Sequence, residues 1–401
     1  MTAPTPLPPT WKFVPLGQIV QSAQSGFASG ARDSNGTVQM RMNNVTTDGN
    51  LNWTNFIRVP TSQKQLDKYH LRVGDVLFNS TNSPDLVGKT AVFDGFSEPV
   101  VFSNHFIRLR VDEVRLDPWY LARWLTVQWQ QRVFESLCTQ WVNQASVRKD
   151  DLLFLKIPLP PLPEQQRIVA ILAKADRLRR LRRTARELGD TYLQSVFLGM
   201  FGDPVSTPRG WKRAKVSELG QVQTGNTPPR SHPEYYGNYI EWIKSDNIVD
   251  DSLSPSKSRE SLSELGLKES RSVGTGSVLV TCIAGSLTSV GDVALTDRRV
   301  AFNQQINAVT PHRDVDPFFL YGLFKVAQPL VQGNATAGMK HIITKSKLEQ
   351  LVLFKPPLSL QLQFAQIVQK YERLHVQQRE AARQAEHLFQ TLLHRAFRGG
   401  L

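Results

Sequence analysis

The hydrophobic positions along this chain change their period in the same way in both halves. In the first half, short apolar runs at 73–81, 89–96 and 100–111 alternate with polar residues and end at turn-forming residues, as β-strands do. A proline-rich break then precedes 163–201, where the apolar positions have the period of a helix. The second half repeats this succession and ends in a helical pattern over 360–398. The pattern predicts two α+β segments, each followed by one long helix.

Paired sequence markers indicate an internal duplication. The pairs are Trp11-Lys12 with Trp211-Lys212, 72–78 with 274–280, Asn104 with Asn303, Asp117-Pro118 with Asp316-Pro317, and 152–162 with 351–361. The last three pairs share an offset of 199 positions. Within the helices, Tyr192 aligns with Leu388 at an offset of 196. The difference predicts a three-residue insertion near Leu178 that locally overwinds a coiled coil.

Both helical stretches carry apolar residues at heptad spacing, which predicts an antiparallel coiled coil that separates two globular heads. The predicted seam is Ile168, Leu172, Ala175, Ala185, Tyr192 and Val196 in the first helix, and Ile367, Tyr371, Leu374, Gln378, Ala381, Ala385, Leu388 and Leu392 in the second. At the usual rise per residue each helix would be roughly 57 Å long. The alternative, in which each helix packs only on its own head, stays open.

The predicted fold class is therefore α+β. Two similar domains with curved, mainly antiparallel sheets are separated by two long paired helices, with an internal pseudo-two-fold repeat. The predicted boundaries are 1–157 for the first recognition domain, 158–203 for the first spacer helix, 204–355 for the second recognition domain and 356–401 for the second spacer helix. The aromatic residues of a helix predicted at 118–136 are assigned to the core of the first head.

The charge changes the functional picture. Lys and Arg number 48 against 35 Asp and Glu, a formal net charge of +13, which favours a polyanionic partner over a generic solubility charge. The two cysteines, Cys138 and Cys282, are far apart, which argues against a disulfide framework or a structural zinc site. The N-terminal residues do not match a signal peptide and no stretch has the length and apolarity of a membrane helix, so a cytoplasmic location is expected.

Loops rich in Asn, Arg, Ser and Thr follow several predicted strands. Arg and Asn match guanine and adenine edges, whereas Ser, Thr and Lys suit phosphates, so these loops are candidate DNA contacts. The candidates are Arg41, Asn43, Asn44, Asn79, Ser80, Thr81, Asn82, Lys89, Asn104 and Arg148 in the first head, and Thr227, Arg230, Lys244, Asp246, Asn247, Ser286, Asn303, Lys340 and His341 in the second. Ordinary turn chemistry is the alternative for each.

An arginine run within 177–186 is either a solvated helix face, a DNA contact between half-sites or a docking surface for an acidic partner. Catalytic motifs are not found. Gly88-Lys89-Thr90 has Ser83 where a phosphate-binding loop needs glycine, and no GxGxxG follows a strand. The sequence favours a DNA-binding module over a self-contained methyltransferase or nuclease. A coiled-coil adaptor without DNA contact and a DNA reader for a different defence effector remain as alternatives.

Several segments resemble the specificity subunits of type I restriction-modification systems. PLPPLPEQQRIVAIL at 158–172 is similar to the family segment that opens the central helix, and 365–368 is its weaker copy. The segments 41–52, 74–93 and 224–248 are similar to target-recognition segments of that family. The second helix start lacks the full PEQQRIV, so the two docking surfaces for partners are not expected to be identical.

The resemblance implies a non-catalytic subunit that reads a bipartite, gapped site in double-stranded DNA with its two recognition domains. It implies two methyltransferase subunits as partners and motor-nuclease subunits in the restriction form. S-adenosylmethionine, ATP and Mg would then be bound by those partners, and no cofactor is expected in this chain.

Overall fold

The computed structural model describes residues 8–141, 144–205, 207–208, 210–249, 252–336 and 338–401. Most of the N-terminal residues on which the absence of a signal peptide was predicted therefore lie outside the described residues. The chain divides by internal packing into two compact units. Unit 1 comprises the described residues up to Leu181 together with Arg383–Leu401, and unit 2 comprises those within Arg182–Ala382. The long helices contribute to both units.

The first half contains short strands and helices followed by one long helix. Its strands are β1 Lys12–Pro15, β2 Val20–Ser25, β3 Thr37–Met40, β4 Ile57–Val59, β5 Val76–Asn79, β6 Thr81–Asn82, β7 Thr90–Val92, β8 Val100–Phe102, β9 Phe106–Val111, β10 Thr139–Trp141, β11 Gln144–Ser146 and β12 Lys156–Leu159. Its helices are α1 Gln63–Tyr69, α2 Pro118–Gln130, α3 Val133–Leu137, α4 Lys149–Phe154 and α5 Leu162–Phe201, with short 3₁₀ turns at Leu16–Gln18 and Met42–Asn44.

The second half has the same plan. Its strands are β13 Gly202–Asp203, β14 Thr207–Pro208, β15 Lys212–Lys215, β16 Gly220–Thr224, β17 Tyr236–Ile243, β18 Ser261–Leu262, β19 Ser272–Val273, β20 Val278–Thr281, β21 Ile283–Ala284, β22 Val293–Leu295, β23 Val300–Phe302, β24 Ile306–Pro311, β25 His341–Ile342 and β26 Val352–Lys355. Its helices are α6 Val216–Leu219, α7 Glu264–Lys268, α8 Pro317–Val326, α9 Gln328–Gly333, α10 Lys345–Gln350 and α11 Leu358–Ala396, with 3₁₀ turns at Pro233–Tyr235, Ser245–Asn247 and Leu287–Ser289.

Sheet topology is repeated between the units. Unit 1 has a four-stranded antiparallel sheet in the order β2-β9-β5-β7, and unit 2 has its equivalent in the order β16-β24-β20-β22. A second sheet in each unit contains one parallel pair, β3 with β8 and β17 with β23. All other strand pairs are antiparallel in the part of the chain that the structure describes, so the prediction of a mainly antiparallel α+β fold is confirmed.

A buried glutamine near the start of each long helix joins it to its head. Gln165 Oε1 accepts the backbone N–H of Asp117 at 2.9 Å, and Gln361 Oε1 accepts that of Asp316 at 2.8 Å. Both aspartates cap the helix that follows, because each side chain accepts two backbone N–H groups of its first turn. The same glutamine–aspartate arrangement therefore occurs in both units, which confirms the internal repeat.

The three-residue length difference lies in the heads and not in the long helices. Helix α2 has 13 residues where α8 has 10. Beyond that point the offset is already 196, because Gln165 is equivalent to Gln361 and the buried Leu152 to the buried Leu348. The predicted match of 152–162 with 351–361 and the predicted insertion near Leu178 are therefore wrong.

The turns after β8 and β23 are equivalent with an offset of 200 positions. The backbone N–H of Ser103 bonds to Met40, and that of Asn303 bonds to Ile243, at equivalent places in the two units. Asn303 is thus equivalent to Ser103, and Asn104 is equivalent to Gln304. The sequence match of Asn104 with Asn303 was displaced by one position.

The long helices run antiparallel within each unit. In unit 1, Ile168, Leu172 and Ala175 are buried in one cluster with Phe389 and Leu393, which confirms the first part of the predicted seam. In unit 2, Phe197 packs on Phe364, and Tyr192 stacks on Tyr371 at 6.0 Å between ring centroids. Because chain direction reverses across these contacts, the predicted antiparallel pairing is confirmed within each unit.

The predicted seam of α11 has the wrong phase at two of its positions. Leu374 and Leu388 are 51% and 44% exposed, whereas the following residues, His375 and Phe389, are 3% and 2% exposed. The displaced alignment of the repeat explains this error. It made Ile367 the equivalent of Ile168, whereas in the structure the equivalent of Ile168 is Phe364.

Other sequence expectations concern the aromatic helix and the cysteines. In α2, Tyr120 and Trp124 are buried as predicted, whereas Trp119 is 39% exposed. Cys138 and Cys282 are both free thiols. Among the described residues, no helix combines the length and the apolar character that crossing a membrane requires.

Candidate nucleic-acid interface

In unit 1, the turn between β8 and β9 is the centre of the candidate DNA contacts. The backbone carbonyl of His105 accepts the amide of Asn79 at 3.0 Å and the hydroxyl of Ser80 at 3.2 Å. It also accepts the backbone N–H groups of Ser80 and Thr81. These bonds fix the strand end of β5 and the start of β6 against the turn that carries Asn104.

Two further loops attach to the same frame. Strand β6 pairs with β11, and the backbone N–H of Val147 donates to the carbonyl of Ser80. These bonds hold Arg148, the next residue in the chain, close to the same turn. The Lys89 ammonium donates to the carbonyls of Val45 and Met42 at 2.7 and 3.3 Å. Burial lowers the pKa of Lys89, against the opposing effect of Asp85. Lys89 therefore anchors the 41–45 loop to the strands in this conformation.

The loop after β3 is shaped by Asn44. Its side-chain oxygen accepts the backbone N–H of Arg41 at 2.9 Å, and its amide donates to the carbonyls of Asn52 and Asn55 at 2.9 and 2.8 Å. The side chain of Asn44 is thus occupied inside the loop, while Asn43 is exposed. Arg41 lies near His105: burial and the Arg41 charge both lower the pKa of that imidazole.

Unit 2 repeats this frame with different side chains. The carbonyl of Gln305 accepts the backbone N–H groups of Cys282 and Ile283, as His105 does for its neighbours. Asn247 repeats Asn44, because its side-chain oxygen accepts the backbone N–H of Lys244 at 3.0 Å. Strand β21 pairs with β25, which brings His341 beside Ala284.

Two charged candidates of unit 2, Arg230 and Lys244, bind the same carboxylate. Arg230 Nη2 donates to Glu260 Oε2 at 2.7 Å, and Lys244 Nζ donates to Glu260 Oε1 at 2.8 Å. The two cations lower the pKa of Glu260, with the Lys244 hydrogen bond as the largest cause. Arg230 also lies over the Tyr236 ring at 4.5 Å, and Lys244 over the Trp242 ring at 4.9 Å.

The frames bring the candidates of each unit together but divide them by exposure. We define surface 1 and surface 2 as the exposed or half-buried candidates of units 1 and 2. Surface 1 comprises Arg41, Asn43, Thr81, Asn82, Asn104 and Arg148. Surface 2 comprises Thr227, Arg230, Lys244, Asp246, Ser286, Lys340 and His341. The buried candidates are Asn44, Asn79, Ser80, Lys89, Asn247 and Asn303.

The buried candidates have polar atoms that are already bonded within the loops. Asn79, for example, donates to Thr81 and His105 and accepts from the Asn82 amide at 2.6 Å. Asn303 donates to Gln305 Oε1 at 2.8 Å. In this conformation these residues shape the loops, whereas the residues of surfaces 1 and 2 are exposed or half-buried.

Sequence reasoning missed His105, Gln304, Gln305 and Glu260. The first three belong to the turns that organise both surfaces, and the hydroxyl of Thr227 hydrogen-bonds to Gln304. A correct repeat alignment would have found Gln304, because Gln304 is the equivalent of the candidate Asn104. Glu260 carries no local signal, since its partners are distant in sequence.

One arginine of the run in α5, Arg179, is buried and ion-paired. Arg179 is 6% exposed and donates to Asp176 at 2.6 Å, while Arg180 reaches Asn50 Oδ1 at 3.3 Å. The run is therefore not a uniformly solvated face. The side chain of Arg186 lies outside the part that the structure describes.

The protein-family model of the type I restriction modification DNA specificity domain matches this chain twice, over residues 8–187 and 208–384. The chain belongs to the type I specificity-subunit family. Each match covers one complete head with most of one long helix, so the duplication seen in the structure is that of the family domain.

Specificity subunits of other organisms are similar to all or part of this chain. The specificity subunit of the type I restriction enzyme MjaX of Methanocaldococcus jannaschii is 24% identical over 95% of this chain and 91% of its own length. That of the HindI enzyme of Haemophilus influenzae is 30% identical over 38% of this chain and 34% of its own length.

Solved structures support the fold. A chain from a study of complex assembly and conformational transition of the type I restriction-modification system matches with a TM-score of 0.59 at 22% identity, covering 99% of this chain and 100% of its own. The type I S subunit from M. genitalium matches with a TM-score of 0.59 at 14% identity, covering 96% of each chain.

Proposed function

We propose that surfaces 1 and 2 each read one half of a bipartite, gapped and asymmetric site in double-stranded DNA. One observation carries this proposal: the same hydrogen-bonded frame occurs in both units but presents different exposed side chains. Arg41 and Asn43 in unit 1 correspond to Lys244 and Asp246 in unit 2. Equivalent frames with different chemistry suit a family that reads two different half-sites.

The division by exposure assigns roles within each surface. Exposed Arg, Lys and Asn side chains present paired donors and acceptors to base edges, while Thr, Ser and further Lys side chains suit phosphates. The buried candidates hold the loops that carry these groups. The formal net charge of +13 supplies the sequence-independent part of the affinity, which salt weakens through counterion competition.

The long helices offer apolar surface for protein partners. In unit 1, Leu181 is 58% exposed, and in unit 2, Leu188 and Leu374 are 67% and 51% exposed. Apolar side chains in this arrangement suit helices of another subunit. We assign one such surface in each unit to one methyltransferase subunit. Motor-nuclease subunits join in the restriction form, and S-adenosylmethionine, ATP and Mg are carried by these partners.

The first experiment is to co-express the chain with the methyltransferase encoded beside it in a host without other DNA methylation. Modified adenines are then mapped across the genome. A single gapped, asymmetric motif methylated on both strands is expected. Unmodified DNA despite a soluble, co-purifying complex would contradict the proposal and favour a different effector.

A domain exchange tests the division of labour between the surfaces. Replacing residues 1–157 with those of a relative that has another target is expected to change one half-site and leave the other unchanged. Altered specificity at both halves would refute independent reading.

A helix-surface variant tests partner docking. Leu188→Glu is expected to abolish co-purification of a methyltransferase subunit at this surface while thermal unfolding stays unchanged. Gln369→Glu, which adds the same charge at an exposed position of α11 more than one helical turn from Leu374, is the control. Full retention of the expected complex by Leu188→Glu would refute the assignment of this surface.

A further inference from the structure

We propose that Glu260 is a specificity-determining positioning residue of surface 2, which holds Arg230 and Lys244 so that together they read a guanine in one half-site. The inference rests on the proposed function. It adds a residue that would not itself be chosen as a DNA contact, because its negative charge repels the phosphates.

Glu260 connects two segments that are distant in sequence. Arg230 lies in the loop after β16, and Lys244 directly follows β17. One carboxylate oxygen accepts from each cation, at 2.7 and 2.8 Å. Both long side chains lose rotamer freedom before DNA arrives, which lowers the entropic cost of binding.

Two aromatic rings fix the position of the cations. The Arg230 guanidinium lies 4.5 Å from the Tyr236 ring centroid and 5.4 Å from that of Trp242. Both rings are themselves tied down, since Tyr236 donates to the carbonyl of Pro228 at 2.7 Å and Trp242 to that of Asn226 at 3.2 Å. The platform is therefore rigid, and Arg230 remains 58% exposed above it.

The pairing with Glu260 leaves donors for a base. Arg230 uses one Nη2 hydrogen on Glu260, and the described residues provide no other hydrogen bond to its guanidinium. Arg58 in unit 1 differs, because both arms of its guanidinium are bound to Glu98, at 2.6 and 2.5 Å. An open arginine fork matches the O6 and N7 acceptors of guanine in the major groove.

The charge of Glu260 predicts effects of opposite sign on two kinds of binding. Removing the carboxylate charge releases two cations, which raises sequence-independent attraction to phosphates. It also loosens the geometry that selects guanine, which lowers discrimination. A residue that only stabilised the fold would not raise non-specific affinity while leaving the unfolding temperature unchanged.

The test compares Glu260→Gln with Glu234→Gln in the full chain. Glu234 is an exposed carboxylate of the same unit, paired with His232 at 2.9 Å, so the control removes the same charge. Affinity for a random-sequence duplex is measured by fluorescence anisotropy at several salt concentrations. Methylation by the complex with the co-expressed methyltransferase is then measured on duplexes with each single base pair of both half-sites changed.

We expect Glu260→Gln to bind the random duplex roughly two- to threefold more tightly than Glu234→Gln at low salt. We also expect it to lose about tenfold discrimination at one G·C pair of one half-site, with the other half-site unchanged. Equal behaviour of the two variants, or lost discrimination at an A·T pair, would overturn the inference while the proposed function stood. A wild-type complex that writes no bipartite mark would overturn both.

Discussion

The two units place an acid and a base at the same positions of the repeat but surround them differently. With the structural offset of 196, Asp176 and Arg179 of unit 1 correspond to Glu372 and His375 of unit 2. In unit 1, buried ion pairs join the long helix α5 to the head helix α2: Asp176 binds Arg179 and Arg123 at 2.6 and 2.8 Å. Arg179 also reaches Glu386 at 3.3 Å.

Unit 2 fills the equivalent region with rings. Gly322 takes the place of Arg123 in the head helix, and a Cβ there would lie 2.8 Å from the Phe364 ring and 3.0 Å from that of Phe197. Phe197 in turn packs with Phe201, Phe319 and Phe354. The duplicated fold therefore tolerates a polar or an apolar junction, provided that each buried group has a partner.

The contrast extends to the acidic residues. Burial alone would raise the pKa of Asp176, but Arg123 and Arg179 outweigh it and lower that pKa. For Glu372 burial is the larger cause and raises the pKa, although Arg379 and His375 oppose it. The same position of the repeat thus favours a charged acid in unit 1 and disfavours one in unit 2.

The largest effect is expected for Asp176→Asn. The substitution removes the nearest carboxylate from the buried Arg179, which keeps the longer contacts to Glu386 and Asp48 at 3.3 and 3.7 Å. The expected loss is therefore about 3 kcal/mol, at the lower end for a buried pair broken on one side. Hydrogen exchange of peptides from 162–181 and 383–396 measures it, with peptides of unit 2 as the internal reference. Equal protection in both proteins would show that the ion pairs do not hold this junction.

Gly322→Ala tests the apolar junction. The added methyl group overpacks the ring cluster, so unit 2 is expected to lose about 1–2 kcal/mol even though alanine favours a helix. Gly199→Ala is the matched control, because a Cβ there meets nothing within 4 Å. The control should stabilise the helix by about 0.5–1 kcal/mol. Stabilisation by both variants would contradict tight packing at Gly322.

Glu372→Gln tests the raised pKa of Glu372. A raised folded pKa gives stabilisation that is present below the ordinary value of 4.5 and lost as the pH rises through the folded value. Unit 2 should therefore become more stable as the pH falls from neutral towards 4.5, and Glu372→Gln should remove this trend. Hydrogen exchange of 358–382, corrected for intrinsic rates, measures it.

Other charges near Glu372 define the control for that experiment. His375 and Arg379 lie on the same helix, and Lys325 of α8 lines the same cleft of unit 2. Lys325→Gln should keep the slope of stability against pH if Glu372 causes it. Asp176 behaves oppositely: its lowered pKa gives stabilisation present above its ordinary value of 3.8 and lost only as the pH falls through the lower folded value.

The smallest effect is expected for Glu386→Gln. This carboxylate is 45% exposed, so solvent screens its attraction to Arg179 and the loss should stay below about 0.5 kcal/mol. Urea unfolding followed on unit 1 peptides measures it beside Asp176→Asn. A loss as large as that of Asp176→Asn would show that the network acts as one unit rather than through its buried member.

The sequence by itself determined the elements, the duplication and the family. Helix and strand periods are local properties, so the long helices were predicted within a few residues of Leu162–Phe201 and Leu358–Ala396. It also supplied the polar loops at strand ends as candidate DNA contacts, because their residue types are visible in the sequence alone.

Only the tertiary structure decided register and partners. The seam of α11 depends on which helix face meets its neighbour, and a displaced alignment exchanged Leu374 for His375 without changing the period. The separation of Asn44, which is occupied inside its loop, from the exposed Asn43 depends on the carbonyls of Asn52 and Asn55 later in that loop. Glu260 becomes meaningful only when folding brings it to Arg230 and Lys244, since hydrogen bonds and burial act between residues that the sequence keeps apart.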